Sequence, residues 1–190
     1  THGLLHKLGV VYNSQDAVVL CGKIQEFISY HAILTSSKLA KERGHYESYE
    51  GSEWSFGNLP IDTYCRLMNE RYPEHLKSGK DNHYKPSDFE QMDWNKVRSH
   101  IAEYGMRNSN VMAIAPTATI SYIQGCSQSI EPDYSVLFVY STLSGEFTMI
   151  NEHFVEVAKK KGIWGKDLIE ALKAADGDVM SINLDEEIQR

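Results

Sequence analysis

The residues best suited to chemistry are Pro116-Thr117-Ala118-Thr119-Ile120-Ser121, which follow the apolar run Asn110-Val111-Met112-Ala113-Ile114-Ala115. That run is rich in strand formers and stops at a proline, so it predicts a buried strand that ends in a sharp turn. A helix starting after the turn would leave its first four N–H groups without internal partners, aimed beyond the strand end. Thr117 or Thr119 can cap that helix, Ala118 and Thr119 are small enough to let an anion reach the backbone, and the hydroxyls add donors. The helix dipole contributes roughly half a positive charge at the same place. The chemistry such a pattern serves is phosphate binding at the carboxyl end of a strand. Taken alone, it is equally the pattern of a plain strand-to-helix turn, and it contains no Gly-rich phosphate fingerprint.

Other reactive side chains are read as structural. Cys126 lies just past the turn and invites a redox role, but a free cysteine more often serves packing. Cys21 and Cys65 fall on predicted helices and are assigned to structure. His2 and His6 have the i, i+4 spacing of helical metal ligands, yet no Glu follows His2 and no third ligand is apparent, so no metal is assigned. His31 falls on an apolar stripe as a satisfied core histidine, while His75, His83 and His100 are expected at the surface. Glu131 and Glu146 are the nearest carboxylates. Glu131-Pro132 reads as a rigid turn, and Lys159-Lys160-Lys161 as the cationic end of a helix.

These residues need positioning elements. Leu4, Leu5 and Leu8 mark the end of a helix that closes at Gly9, and a helix caught in mid-run at the first residue points to a cut chain. Asn13-Ser14 offers an N-cap, and Leu20, Ile24, Phe27, Ile28, His31 and Leu34 predict one buried stripe on a helix from Gln15 to Arg43. His45 to Pro60 is a packed aromatic loop, Ile61 to Arg71 a short helix, and Tyr72 to Ser87 an exposed insertion. Trp94, Val97, Ile101 and Tyr104 mark another helix, ended at Gly105. Beyond the turn, Phe138-Val139-Tyr140 reads as a strand, Phe147 to Lys161 and Lys166 to Ala175 as helices, and Leu184 to Arg190 as the start of a further one. Helices alternating with buried strands make the fold class α/β.

The chain has 190 residues, with 42% hydrophobic and 11% aromatic content, enough for a real core. Its 19 basic and 26 acidic residues leave a net charge of −7, which argues against a nucleic-acid partner bound through a basic surface. No linear apolar run approaches the roughly twenty residues of a membrane span, so no membrane is expected. Three scattered cysteines form no disulfide framework, and a cytoplasmic location is the default.

The turn sits in a series of ordered motifs. Tyr104-Gly105-Met106-Arg107-Asn108-Ser109, Ile114-Ala115-Pro116-Thr117-Ala118-Thr119, Ser129-Ile130-Glu131-Pro132 and Leu143-Ser144-Gly145-Glu146-Phe147 closely resemble the large subunit of class I ribonucleotide reductases. Upstream, Lys38-Leu39-Ala40-Lys41-Glu42-Arg43-Gly44 and Tyr46-Glu47-Ser48-Tyr49-Glu50-Gly51-Ser52 are similar to the same family in the same order, as is Gly162-Ile163-Trp164. The match covers essentially the whole chain.

The resemblance implies that residues 1–190 are the C-terminal portion of a ten-stranded α/β barrel, a fragment or split chain. It implies that Thr117, Ala118, Thr119, Ile120 and Ser121 contact the diphosphate of a ribonucleoside diphosphate, with Pro116 bordering the sugar and base. Ile120 stands where several relatives carry a hydroxyl residue, so its contact would be through the backbone only. His45 stands where relatives often have proline, and the Tyr72–Ser87 segment is longer than its counterpart. The radical-bearing and reducing cysteines of the family belong to segments outside this stretch. Hence no catalytic residue and no cofactor are assigned here, and the chain is expected to be inactive in isolation. The complete enzyme would need the remaining N-terminal and C-terminal parts of the large subunit. It would also need a radical-generating small subunit with a metal centre, and ATP/dNTP effectors bound elsewhere. A cobalamin-dependent (class II) reductase shares the barrel and a similar turn, although the Ser129 and Leu143 motif contexts favour class I. A non-catalytic nucleotide-binding or scaffold chain that works only with a partner polypeptide is the third reading.

Overall fold

The computed structural model describes residues 2–72, 91–133, 135–143 and 145–185. Its elements run α1 (His2–Leu8), α2 (Gln15–Arg43), α3 (Pro60–Arg71), α4 (Trp94–Tyr104), α5 (Ile120–Gln124), β1 (Leu137–Thr142), β2 (Gly145–Ile150), α6 (Glu152–Lys160) and α7 (Lys166–Ala174), followed by a 3-10 turn at Val179–Ser181. The chain divides into two compact units, one of Leu20–Ala113 and one that joins Thr1–Val19 to Ile114–Arg190.

In the Leu20–Ala113 unit, α2 has the bounds its caps predict. Ser14 Oγ accepts the Ala17 N–H at 3.2 Å ahead of the first turn, and Gly44 ends the helix at φ +77°, its N–H donating to Ala40 O at 2.8 Å. The expected buried stripe is not observed. Ile24, Phe27, Ile28 and His31 are exposed and Leu20 is half-buried, while Leu34 alone of that stripe is buried. The covered face is Tyr30, Ile33, Leu34, Ser37 and Ala40. It is selected by what packs on it: Trp94, Val97 and Ile101 of α4, with Tyr49, Leu59 and Met106, form one core with Tyr30, Ile33 and Leu34. By length and hydropathy α2 is also long and apolar enough to cross a bilayer, although Lys23 and Glu26 interrupt its apolar run. Helices buried in water-soluble cores meet the same measure, and the second half of α2 is packed in that way.

The aromatic loop of this unit is packed as expected at Tyr46, Tyr49 and Trp54, although Phe56 is exposed. At its end Leu59 donates its N–H to Asp62 Oδ2 at 2.7 Å, and Arg98 of α4 grips the same carboxylate with both guanidinium nitrogens, at 2.7 and 3.1 Å. The α4 helix is capped by Asp93, which accepts the Lys96 N–H, and stops at Gly105. Gly105 sits at φ +74°, a conformation that favours glycine, and a Cβ there would make a tight 3.0 Å approach to His45 Cβ. The expected insertion falls outside the described residues from position 73 onward.

In the other unit, β1 and β2 form an antiparallel hairpin with Leu137 opposite Ile150 and Thr142 opposite Gly145. Phe138-Val139-Tyr140 lies in β1 as expected. The helix expected from Phe147 instead starts at Glu152, because Phe147–Ile150 completes β2. Asn151 supplies the cap that separates strand from helix, accepting the Phe154 N–H at 3.0 Å. The α7 helix matches its expectation to within one residue, and Lys159 and Lys160 do close α6. Phe154, Ala158, Leu168 and Leu172 form the core, backed by Val136, Leu137, Trp164 and Ile182. Gly177 fits between: a Cβ there would collide with Leu137 O, and its φ is +77°. The helix expected over 184–190 lies largely outside the described residues. The architecture is a mixture of helix and sheet. Among the described residues its sheet is this one hairpin, and residues 110–115 form no strand.

Candidate functional site

The absence of a strand at 110–115 changes how the Pro116–Ser121 turn is built. Among the described residues that run pairs with no strand, so its backbone groups have no ladder to join. Met112 and Ile114 are exposed, not buried. The turn is instead held from its far side.

Thr117 is the hinge of this arrangement. Its φ is +51°, and its carbonyl accepts the Ser121 N–H at 3.0 Å to begin α5. The next such bond runs from Ile123 N–H to Thr119 O at 3.4 Å. The amides of Ala118, Thr119 and Ile120 therefore stand ahead of the first helical hydrogen bond, where a helix has unspent donors. Ala118, Thr119 and Ile120 are exposed, Ile120 to 64%, and Pro116 is exposed beside them. With only five residues, α5 aligns few peptide dipoles, so direct N–H donation outweighs the dipole here.

Ser121 differs from its neighbours. It is buried to 2% exposure, with its hydroxyl donating to Ala118 O at 3.5 Å and its carbonyl accepting the Cys126 N–H at 2.9 Å. The expected residues are thus brought into one turn, with Ser121 lying inward and Ala118, Thr119 and Ile120 outward.

A partner missed by sequence reasoning is Ser129, whose N–H donates to Thr117 Oγ1 at 2.9 Å across twelve positions. Ser129 also has a positive φ, +44°. Ser129-Ile130-Glu131-Pro132 is visible as a motif, but no residue type in it announces a backbone donor aimed at Thr117. The following residues are anchored by Glu131 N–H to Gln128 O at 3.1 Å and by the Tyr12 hydroxyl to Ile130 O at 2.9 Å.

The remaining candidates separate. Cys126 is exposed, Cys65 buried and Cys21 half-buried, so the packing role expected of Cys126 is not seen. Glu131 is exposed in the turn after Ile130, and Glu146 lies exposed on β2, where it accepts a 3.5 Å bond from Ser141. His31 is exposed, its ring tilted against Phe27 with centroids 4.5 Å apart, because the covered face of α2 is a different one. His100, expected at the surface, is half-buried and meets Ser37 Oγ at 2.7 Å through Nδ1. His75 and His83 lie outside the described residues.

His2 and His6 do meet, with ring centroids 4.0 Å apart, and His6 lies 5.8 Å from the ring of His153 on α6. Burial lowers the pKa of both His2 and His6 despite the Asp133 carboxylate nearby, which favours neutral rings. His2 Nδ1 accepts the Asp133 N–H at 3.3 Å, as a neutral ring can. Among the described residues no group of three or more His, Cys, Asp or Glu side chains is placed to hold a metal ion.

Residues 1–190 match the family model described as the ribonucleotide reductase barrel domain. The chain is 51% identical over 178 residues to the ribonucleoside-diphosphate reductase subunit alpha of Chlamydia muridarum, covering 94% of this chain and 16% of that protein. It is 33% identical over 171 residues to the ribonucleoside-diphosphate reductase large subunit of Acanthamoeba polyphaga mimivirus, covering 90% of this chain and 18% of that protein. The subunit alpha of Helicobacter pylori is 39% identical over 136 residues, covering 72% of this chain and 16% of that protein. The chain therefore spans less than a fifth of the length of these relatives.

Proposed function

The chain belongs to the ribonucleotide reductase barrel-domain family, and from that premise we propose that it anchors the substrate diphosphate within a ribonucleoside-diphosphate reductase large subunit. The supporting observation is the turn: three successive amides, at the exposed residues Ala118, Thr119 and Ile120, lie ahead of the first helical bond. Thr119 adds an exposed hydroxyl, and the small Ala118 leaves the backbone open to phosphate oxygens. Ser121 serves from within, fixing the turn through its bond to Ala118 O. Pro116 borders the sugar and base.

In the complete subunit this stretch forms part of a ten-stranded barrel, with residues 110–115 taking their place beside strands from the rest of the polypeptide. The full enzyme reduces ribonucleoside diphosphates to deoxyribonucleotides by radical chemistry. That chemistry is supplied by cysteines outside this stretch and by a small radical-generating subunit with a metal centre, and ATP/dNTP effectors bound elsewhere regulate it. On this reading the isolated chain, without those cysteines, is inactive; its own Cys21, Cys65 and Cys126 lie on α2, on α3 and after α5.

The test is Thr119→Asp in the complete large subunit. A carboxylate at this exposed position repels the diphosphate, and KM should rise by roughly tenfold or more, the equivalent of one lost charge-assisted hydrogen bond. An unchanged KM with normal folding rejects the anchor.

A further inference from the structure

We infer that His2 is an acid-sensitive latch, which holds α1 against α6 while its Nδ1 is unprotonated and releases it when that nitrogen takes up a proton. The inference is independent of how the turn at 116–121 is read. Both helices belong to one compact unit and pack on each other, and His2 is a buried polar residue of α1. Its Nδ1 accepts the Asp133 N–H at 3.3 Å, so the neutral ring carries its proton on Nε2. Asp133 is tied to α6 in turn. Its Oδ2 accepts from Asn151 Nδ2 at 2.8 Å, and Asn151 Oδ1 accepts the Phe154 N–H at 3.0 Å as the cap of that helix. His2, Asp133 and Asn151 thus form one chain of bonds from α1 to the start of α6.

A proton on Nδ1 turns this acceptor into a donor that faces another donor, and the bond from the Asp133 N–H is lost. The Asp133 carboxylate is no ready substitute. Its Oδ2 lies 3.8 Å from Nδ1, beyond hydrogen-bond reach, and already serves Asn151. The rings facing His2 give the charge no further partner: His6 lies 4.0 Å away between centroids, Tyr12 meets it edge-on at 5.6 Å, and His153 of α6 stands 5.8 Å beyond His6. The α-amino group of this chain also opposes the charge, and a peptide bond takes its place in the complete large subunit. Burial is the first cause that lowers the pKa of both His2 and His6; Asp133 raises it by less, and His153 lowers it further. A histidine with a depressed folded pKa stabilises fully above about pH 6.5 and loses that contribution as pH falls toward the folded value. The latch is closed at neutral pH and opens in mild acid.

The experiment follows hydrogen exchange in the complete large subunit from about pH 8 to about pH 5, corrected for the intrinsic pH dependence of exchange. The amides read are Asp133, which bonds His2, and Gly9 and Val10, which donate to His6 O and Leu5 O at the end of α1. In the parent, protection at Asp133 should fall roughly tenfold, the loss of about one hydrogen bond, with Gly9 and Val10 following over the same pH range. His2→Asn keeps an acceptor for the Asp133 N–H but does not titrate, so its protection should stay flat. Protection in the parent that is flat, or that falls only near pH 4 where carboxylates titrate, overturns the latch. So does a fall that His2→Asn leaves unchanged. If His2→Asn already lacks protection at about pH 8, deuterium uptake at the His2 ring carbon between the two nitrogens decides, because its rate reports the titration of that ring alone. A ring titration that coincides with the loss of protection in the parent supports the latch, and one that lies apart from it overturns it.

Discussion

Glu26 on α2 receives the indole N–H of Trp94 on α4 at 3.0 Å, and the same Oε1 accepts the N–H groups of Gln91 and Met92 at 2.6 and 2.8 Å. One carboxylate oxygen thus fixes the approach to α4 and the ring that fills the core beside Tyr30. Burial pushes its pKa upward, but the bonds from Met92, Gln91 and Trp94 outweigh burial and hold the carboxyl below its usual range.

Because the folded pKa is depressed, this clasp stabilises fully above the unfolded value of about 4.3 and is lost as pH falls through the folded value. Glu26→Gln removes the charge and retains one acceptor. It should cost about 1–2 kcal/mol at pH 7, a figure reduced by solvent screening at this partly exposed site. The difference between variant and parent should shrink below about pH 4. Hydrogen exchange at Gln91 and Met92, followed across pH, checks both statements. A gap that stays constant down to pH 3 rejects the charge-based account.

His100 and Ser37 form a second joint between α2 and α4, at 2.7 Å, with Ser37 fully buried. Burial, with Lys41 second, lowers the pKa of His100. A histidine with a depressed folded pKa stabilises fully above about pH 6.5 and loses that contribution as pH falls from there toward the folded value. His100→Ala strands the Ser37 hydroxyl and should cost about 1–2 kcal/mol at pH 8. The double variant with Ser37→Ala should cost no more than His100→Ala alone. Additive costs in urea unfolding would show that the two side chains are not coupled.

Gly177→Ala tests the close approach in the other unit. The added methyl would collide with Leu137 O, a backbone atom that cannot turn aside, and φ is +77°. Gly177 O also accepts the Val136 N–H at 3.2 Å, so any shift pulls on the start of β1. The expected loss is about 3 kcal/mol or more, from overpacking and backbone strain together. A melting temperature within a degree of the parent's would contradict this packing.

Elements whose signals are local were legible in the sequence. Ser14 and Gly44 bracket α2, Gly105 stops α4, and the Trp94, Val97, Ile101 spacing names its buried face. Failures came where a partner decides. The face of α2 that becomes covered depends on Trp94 and Tyr49, not on which stripe of α2 is most apolar, so Phe27 and His31 lie outside. Asn110–Ala115 has strand composition, but a strand also needs a neighbour, and none is present among the described residues. The turn itself was found from residue types. Its clasp was not, because a backbone N–H at Ser129 and a positive φ at Thr117 leave no mark on the choice of amino acid.

Ile120 offers a prediction in the opposite sense, a gain. Its side chain is 64% exposed on the outer side of the turn and contributes no polar atom, so only its amide can serve a phosphate. Ile120→Ala should therefore change KM by less than about threefold, since the amide is retained and little apolar burial is lost. Ile120→Ser places a hydroxyl beside the same amide, at the first position of α5, where serine is tolerated and can turn outward. A hydrogen bond to a charged oxygen contributes about 1.5 kcal/mol or more when formed, so KM for a ribonucleoside diphosphate should fall by roughly threefold to tenfold, allowing for the entropy of fixing the side chain. Steady-state kinetics on the complete subunit, with all three proteins at one salt concentration, provide the measurement. If Ile120→Ala raises KM as much as Thr119→Asp does, the isoleucine side chain, and not the backbone, is what meets the substrate at this position.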